Sequence, residues 1–166
     1  MKTIKKIRES PQDIETIIGS LEKYALGDIK FNKPKPISAF ILSICFIEQL
    51  SYFRYEFHSD DSKKPERLIN EYMTEYKNLN LYHKTRHTLV HNYSSRGHFD
   101  IDNRGFENVP YDEINGVIHI NTNVFIHYLE SAFEKVVKDF RNVRSEAYTN
   151  ALEYSLYYPV LVDTHK

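Results

Sequence analysis

The segment ISAFILSICFIEQLSYFRYEF, residues 37–57, decides the fold. Apolar side chains occupy nearly every face of the helix that it would form, and the stiff connector KPKP, residues 33–36, comes before it. A helix without a polar face is stable when other elements cover it on all sides. The segment therefore predicts a helical bundle with this helix in the middle.

A first helix is predicted between residues 10 and 27. Ser10 supplies a hydroxyl cap, Pro11 suits the first helical position, and Asp13 is the acid three residues after the cap. Gly27 is expected to end the helix, as glycine commonly does. Apolar residues recur between these limits at helical spacing, at Ile14, Ile17, Ile18, Leu21, Tyr24 and Ala25.

A third helix is predicted to begin at Pro65. A break near Asn78 or Asn80 separates it from a fourth helix, which Gly97 is expected to stop. The third helix carries the apolar residues Leu68, Ile69, Tyr72, Met73 and Tyr76.

The last long helix has the strongest periodic pattern in the chain. It is predicted to start at a cap, Asn121 or Asn123, and its apolar stripe continues to Val143 and Ala147, over more than about six turns. Residues 154–166 then form an apolar and aromatic tail, which is typical of a docked tail or a contact with a partner.

A small β-hairpin is predicted before that helix. Residues 98–102 and 117–121 alternate polar with apolar side chains, and the turn signal Asn115-Gly116 precedes the second run. Residues 103–115 are expected to be a long loop between the two strands. The whole pattern predicts one domain over residues 1–166, an all-α up-and-down helical bundle with a hairpin inserted at about residues 97–121.

Composition limits the function classes. The chain has 166 residues and a formal net charge of −1, which excludes a basic field over the whole surface and so disfavours sequence-blind coating of DNA. Cys45 is the only cysteine and is expected to be buried, so a disulfide and a cysteine zinc cage are excluded within the chain. No transmembrane segment or signal peptide is predicted, which favours a cytoplasmic protein. Glycine-rich phosphate loops and the G-x-S-x-G and H-E-x-x-H motifs are absent from the sequence.

The segment YHKTRHTLVHNYS, residues 82–94, combines apolar periodicity with reactive side chains. Arg86 falls within the apolar stripe of the predicted helix, and His83, His87 and His91 follow one another at intervals of four residues along its flank. A permanent cation and an imidazole that titrates near neutral pH are suited to handling phosphate.

The charge around this segment favours anions. Residues 77–99 contain no Asp or Glu in a chain with 23 acids, while Lys84 and Arg96 add positive charge. Glu48 is an acid within the apolar segment 37–57, where an unpaired carboxylate would be unfavourable. An ion pair between Glu48 and Arg86 is therefore predicted, either as part of a site or as a plain core salt bridge.

These residues resemble the HEPN superfamily. RHTLVH, residues 86–91, is similar to its R-x4-6-H signature, and with Tyr93 the segment becomes R-x4-H-x-Y, the form of HepT-like toxins. FIEQL, residues 46–50, is similar to the I-E-x-[IL] element of those proteins. The resemblance implies a HEPN-like bundle, a symmetric homodimer that joins two motifs in one cleft, and a metal-independent endoribonuclease.

The resemblance also implies roles for single residues. Arg86 and His91 would be the catalytic pair, His87 the accompanying polar residue, and Tyr93 the tyrosine that a nucleotidyltransferase partner, acting as antitoxin, adenylylates. Glu48 and His83 would support the site, and Lys84 and Arg96 would bind RNA. No cofactor and no metal are expected.

Two other interpretations stay open. In the first, a HEPN-like dimeric module binds a nucleotide, RNA or a protein without cutting, and Arg86 and Glu48 are structural. In the second, His83, His87 and His91 bind a metal, although three histidines in line along a helix cannot all reach one ion.

Overall fold

The computed structural model describes residues 6–56, 63–92, 99–102 and 108–162; within these ranges the side chains at positions 87, 88, 90–92 and 102 are not described. The described part is mostly helical and has one small sheet. In chain order its elements are α1 (Ile14–Ser20), a π-helical segment (Leu21–Leu26), α2 (Gly27–Phe31), α3 (Pro36–Arg54), α4 (Lys64–Tyr72), a 3-10 turn (Thr74–Tyr76), α5 (Leu81–Asn92), β1 (Phe99–Asp102), β2 (Tyr111–Ile114), β3 (Val117–Asn121), α6 (Thr122–Arg141) and α7 (Glu146–Tyr157).

The central position predicted for α3 is confirmed. This helix packs against α2, α4, α5, α6, α7 and β1. Phe40 and Phe46 on α3 pair with rings of α6, with centroid distances of 4.9 Å to Phe125 and 5.6 Å to Phe133. Burial of each such side chain contributes about 2 kcal/mol to stability. Within the described residues α3 is also the one helix whose length and apolarity suffice to cross a membrane, and half of its most apolar stretch is buried inside the protein.

The N-terminal helix differs from its prediction at both ends. Its cap is Asp13 rather than Ser10: the Asp13 carboxylate accepts a hydrogen bond from the Thr16 backbone N–H at 2.9 Å and one from the Thr16 hydroxyl at 2.6 Å. These bonds lower the pKa of Asp13. Gly27 does not end the helix, because its φ of −59° is helical and the chain continues through the π-helical segment into α2.

The predicted break between the third and fourth helices is confirmed. Asn78 and Asn80 have φ values of 68° and 54°, a left-handed conformation that stops a helix and that asparagine tolerates better than most residues. The chain therefore changes direction here before α5 begins.

The predicted hairpin is wrong in its pairing. The sheet has the order β1-β3-β2, and β1 runs parallel to β3 instead of antiparallel. The hairpin joins β2 to β3 through Asn115 and Gly116, whose φ values of 53° and 77° suit a tight two-residue turn. β2 lies inside the predicted loop 103–115. Its sequence, YDEI, has no regular alternation, so periodicity did not indicate a strand.

The predicted last helix is two helices. α6 ends at Arg141, and Ser145 caps α7 by accepting a hydrogen bond from the Tyr148 backbone N–H at 3.0 Å. Val143, expected in the apolar stripe, lies between the two helices and is 68% exposed. Residues 154–157 of the predicted tail are the last turn of α7, which packs on α3. Ala147 and Ala151 are buried, and their small side chains permit close packing of the helix. Residues 163–166 lie outside the described part.

Candidate functional site

A buried carboxylate fixes the start of α5. Glu66 on α4 is 8% exposed, and its two oxygens accept hydrogen bonds from the backbone N–H groups of Leu81 at 3.2 Å and Tyr82 at 2.9 Å. The first N–H groups of a helix have no partner within the helix, and a negative charge complements the helix dipole there. Glu66 thus caps α5 from another helix. Sequence analysis missed this role, because a cap 15 residues away leaves no local signal.

The predicted pair of Glu48 and Arg86 is present. Arg86 Nε lies 2.8 Å from Glu48 Oε2, and the two side chains are 31% and 26% exposed. The pair is therefore half-buried rather than a core salt bridge. Burial alone would lower the pKa of Arg86, but hydrogen bonds to Glu48 and Tyr82 outweigh it and raise this pKa, so the guanidinium remains charged. Burial of Tyr82 and the charge of Glu48 raise the pKa of the Tyr82 phenol.

Cys45 stands on the same helix as Glu48, three residues earlier, and its expected burial is wrong. The residue is exposed. Partial burial by its neighbours raises the pKa of the thiol, and Arg86 only partly opposes this shift. A thiol with a raised pKa stays protonated at neutral pH, so Cys45 lacks the thiolate of a nucleophilic site.

The histidines of the motif are only partly described. His83 is exposed, and its ring contacts Tyr82 at a tilt of 74°. Residues 87 and 91 are helical, but their side chains lie outside the described part. On an ideal helix positions 86 and 91 are about 7.5 Å apart along the axis and about 140° apart around it. Within the described residues, no three His, Cys, Asp or Glu side chains are arranged to hold a metal ion.

Of the two residues expected to bind RNA, Lys84 lies within the described part of the chain and Arg96 lies outside it. Lys84 is exposed on α5, and its Nζ lies 5.6 Å from the centroid of the Phe99 ring in β1. A cation over an aromatic face is stabilised there, so Lys84 also links α5 to the sheet. Arg96 and Tyr93 lie outside the described residues.

A depression of about 680 Å³ adjoins the start of α5. It reaches from α4 to the exposed His83 ring. The residues that line it are Lys63, Glu66, Arg67, Asn70, Glu71, Asn80 and His83. A second depression, of about 400 Å³, lies between the N-terminal helix and α6 and does not involve α5.

A second arginine cluster joins α3, α4 and α6. Arg54 Nε donates to the Tyr72 hydroxyl at 2.7 Å, and this hydroxyl donates to Asp139 at 2.6 Å. Burial and the bond to Asp139 raise the pKa of Tyr72 to about 12. Beside it, Tyr55 donates to Glu71 at 2.7 Å. Sequence analysis did not identify this cluster, because its members are far apart in the chain and none belongs to a motif.

Glu48, Tyr82 and Arg86 are thus brought together at the contact of α3 with α5, and His83 and Lys84 are exposed on the same turn region of α5. The arrangement holds a cationic side chain in a fixed position beside solvent. Comparison of the chain with family models, with curated proteins and with solved structures finds no match in any of the three.

Proposed function

We propose that the protein is a metal-independent endoribonuclease of the HEPN type that acts as a homodimer. The observation that supports this most is the fixed position of Arg86, held at Nε by Glu48 at 2.8 Å while 31% of its side chain meets solvent. A cation held in place before the reaction stabilises developing negative charge without reorganisation.

The proposed reaction needs no metal. His91 accepts the proton of a ribose 2'-hydroxyl, whose oxygen forms a bond to the adjacent phosphorus. The bond from phosphorus to the 5'-oxygen breaks, this oxygen takes up a proton, and the products carry a 2',3'-cyclic phosphate and a 5'-hydroxyl. Arg86 stabilises the charge on the phosphate in the transition state, since its planar group can donate two parallel hydrogen bonds. In this proposal His87 and His83 support the site, and Lys84 and Arg96 bind neighbouring phosphates.

The dimer is part of this proposal because Arg86 and His91 point in different directions from one helix. Positions 86 and 91 diverge by about 140° around one helix axis, so a cleft shared by two copies is a direct way to bring Arg86 of one copy toward His91 of the other. Two motifs would also concentrate positive charge in a chain whose net charge is −1. A cytoplasmic location and adenylylation of Tyr93 by a nucleotidyltransferase antitoxin belong to the same proposal.

One observation favours a second function, a dimeric module that binds nucleotide, RNA or protein without cutting. The Glu48 carboxylate neutralises Arg86, and a neutralised arginine stabilises a developing charge less than one that is free to pair with the substrate. The two functions differ in whether phosphodiester bonds break.

Cleavage of unstructured RNA in EDTA distinguishes them. We expect the purified protein to cut such RNA and to leave 2',3'-cyclic phosphate ends, and His91→Ala to abolish cleavage with an unchanged circular dichroism spectrum. His127→Ala is the matched control, because His127 is exposed on α6 and outside the motif. RNA that is bound but stays intact would favour the binding module, and activity that EDTA removes would contradict both proposals.

A further inference from the structure

The corner between α2 and α3, residues 28–37, exposes two large apolar side chains. Phe31, the last residue of α2, is 83% exposed, the highest value among the large apolar residues that the structure describes. Ile37, in the first turn of α3, is 48% exposed. A ring with that exposure has almost no protein around it, so Phe31 stands out from the surface instead of lining a cleft. Water is removed from both side chains when something outside the chain covers this corner.

Hydrogen bonds hold the corner in one conformation. The Asn32 backbone N–H donates to the Asp28 carbonyl at 3.0 Å, and the Asn32 side-chain amide donates to the same oxygen at 2.9 Å. The Lys35 backbone N–H donates to the Asn32 carbonyl at 2.7 Å. Pro34 and Pro36 restrict the backbone further. The corner therefore loses little conformational entropy when its apolar side chains are covered.

The charge at this corner is positive. Lys30 pairs with Glu130 at 3.1 Å. The side chains of Lys33 and Lys35 are exposed, and their ammonium groups have no ion pair or hydrogen bond with the residues that the structure describes. Asp28, one turn before the end of α2, is also exposed and opposes part of this charge. Two unpaired cations against one acid leave the corner suited to an anionic surface.

A bilayer that contains anionic lipid matches all of these features. Aromatic rings are favoured in the headgroup region, and aliphatic side chains are favoured where the acyl chains begin. Each lysine close to anionic lipid strengthens binding by about fivefold. RNA would stack a base on Phe31 and pair its phosphates with the lysines, but it has no apolar layer to cover Ile37. The combination of two apolar side chains with two cations thus favours lipid over nucleic acid.

We propose that the α2–α3 corner attaches the protein to an anionic lipid surface, with Phe31 and Ile37 in the headgroup region and Lys33 and Lys35 beside the lipid phosphates. The attachment is peripheral, because only the corner enters the lipid. Glu48 lies about 18 Å farther along α3 than its first residue, so the Arg86 pair stays away from the bilayer. The site goes beyond the proposed function and does not depend on it.

A single tryptophan tests insertion directly. The chain contains no tryptophan, so Phe31→Trp places one indole at the corner. We expect its emission to shift to shorter wavelength with vesicles of phosphatidylcholine and phosphatidylserine in equal parts, and not with phosphatidylcholine alone. Ile114→Trp is the matched control: Ile114 is 42% exposed and follows the acids Asp112 and Glu113, so its indole should not shift. An unshifted indole at position 31 overturns the proposal.

Sedimentation with the same vesicles measures the affinity. The double variant Lys33→Gln with Lys35→Gln should bind at least about tenfold more weakly than the wild type. The matched control is Lys135→Gln with Lys138→Gln, which removes two exposed lysines of α6 and should bind like the wild type. Asp28→Asn should bind more tightly, because it removes the opposing charge. Equal binding of the two double variants would show that general surface charge, and not the corner, holds the protein to lipid.

Unstructured RNA separates this inference from the proposed function. If RNA quenches the indole at position 31 and vesicles do not shift it, the corner contacts nucleic acid and the lipid proposal is wrong. RNA cleavage without vesicles should be equal in the wild type and in Lys33→Gln with Lys35→Gln, because the corner lies outside α5. Lipid binding without any cleavage supports the attachment and removes the proposed catalysis, and cleavage without lipid binding does the reverse.

Discussion

Two arginines of this protein have similar partners in different surroundings. Arg54 and Arg86 each lie beside a carboxylate and a tyrosine hydroxyl. The Arg54 side chain is 19% exposed, and its guanidinium also lies over the rings of Tyr55 and Tyr72, at 5.2 Å and 5.8 Å from their centroids. The Arg86 side chain is 31% exposed and lies beside the exposed Cys45.

The difference separates a structural role from a proposed functional one. The Arg54 cluster links three helices, since Tyr72 on α4 bridges Arg54 on α3 and Asp139 on α6. Arg86 links α5 to α3 through Glu48. An arginine enclosed by aromatic rings contributes mainly to stability, and one at an opening is able to meet a ligand. Three measurements test this distinction.

The largest effect is expected on RNA cleavage. Arg86→Ala should lower the cleavage rate by about 100-fold or more, because loss of a fixed group that stabilises transition-state charge typically costs that much. Arg54→Ala should leave the rate per folded molecule unchanged. The rates are measured in EDTA under single-turnover conditions, with the folded fraction determined by circular dichroism. Equal losses in the two variants would show that the motif arginine has no special role.

The free energy of unfolding should show the opposite order. Arg54→Ala removes the hydrogen bond to Tyr72 and the contacts with two rings, so we expect a loss of about 2 kcal/mol. Arg86→Ala should cost less than about 1 kcal/mol, because its ion pair is partly exposed and Glu48 regains water. Urea denaturation followed by circular dichroism measures both values. A greater loss of unfolding free energy for Arg86→Ala than for Arg54→Ala would show that Arg86 mainly stabilises the fold.

The smallest effect is a pH dependence within the Arg54 cluster. Burial alone would raise the pKa of Glu71, but hydrogen bonds from Arg67 and Tyr55 outweigh it and lower this pKa. A carboxylate with a lowered pKa in the folded state stabilises the protein above its unfolded pKa of about 4.3, and that stability disappears as pH falls through the folded value.

The wild type should therefore exceed Glu71→Gln in stability at pH 6, by less than about 1 kcal/mol because the Glu71 side chain is 38% exposed and screened by solvent. This excess should shrink as pH falls below the unfolded pKa of about 4.3. Parallel urea titrations of the two proteins at pH 6, 4.5 and 3 measure the difference. An excess that stays constant over this range would mean that the charge of Glu71 does not stabilise the fold.

Local patterns predicted the central helix and the break before α5. The apolar segment that became α3 indicated its own central position, and Asn78 and Asn80 indicated the break before α5. The pairing of Glu48 with Arg86 was also predictable, since each was a charge in an apolar stripe and needed an opposite partner.

Other features of the fold could not be predicted, because they depend on contacts between residues that are far apart in the sequence. The parallel pairing of β1 with β3 depends on how the chain returns after β2. The turn between α6 and α7 interrupts an apolar stripe that continues in sequence, and Ser145 fixes it by capping α7. The cap from Glu66 to α5 and the Arg54 cluster join residues on different helices.

The sequence by itself determined that the protein is a helical bundle around residues 37–57 and that Arg86 would need Glu48, because apolar periodicity and the cost of an unpaired charge act along single helices. Only the tertiary structure decided that this pair lies beside solvent, that Cys45 is exposed, and that Tyr52, Tyr154 and Tyr158 stack. The physical reason is that exposure and ring geometry depend on which elements pack together, and the packing of α7 on α3 is a property of the whole chain.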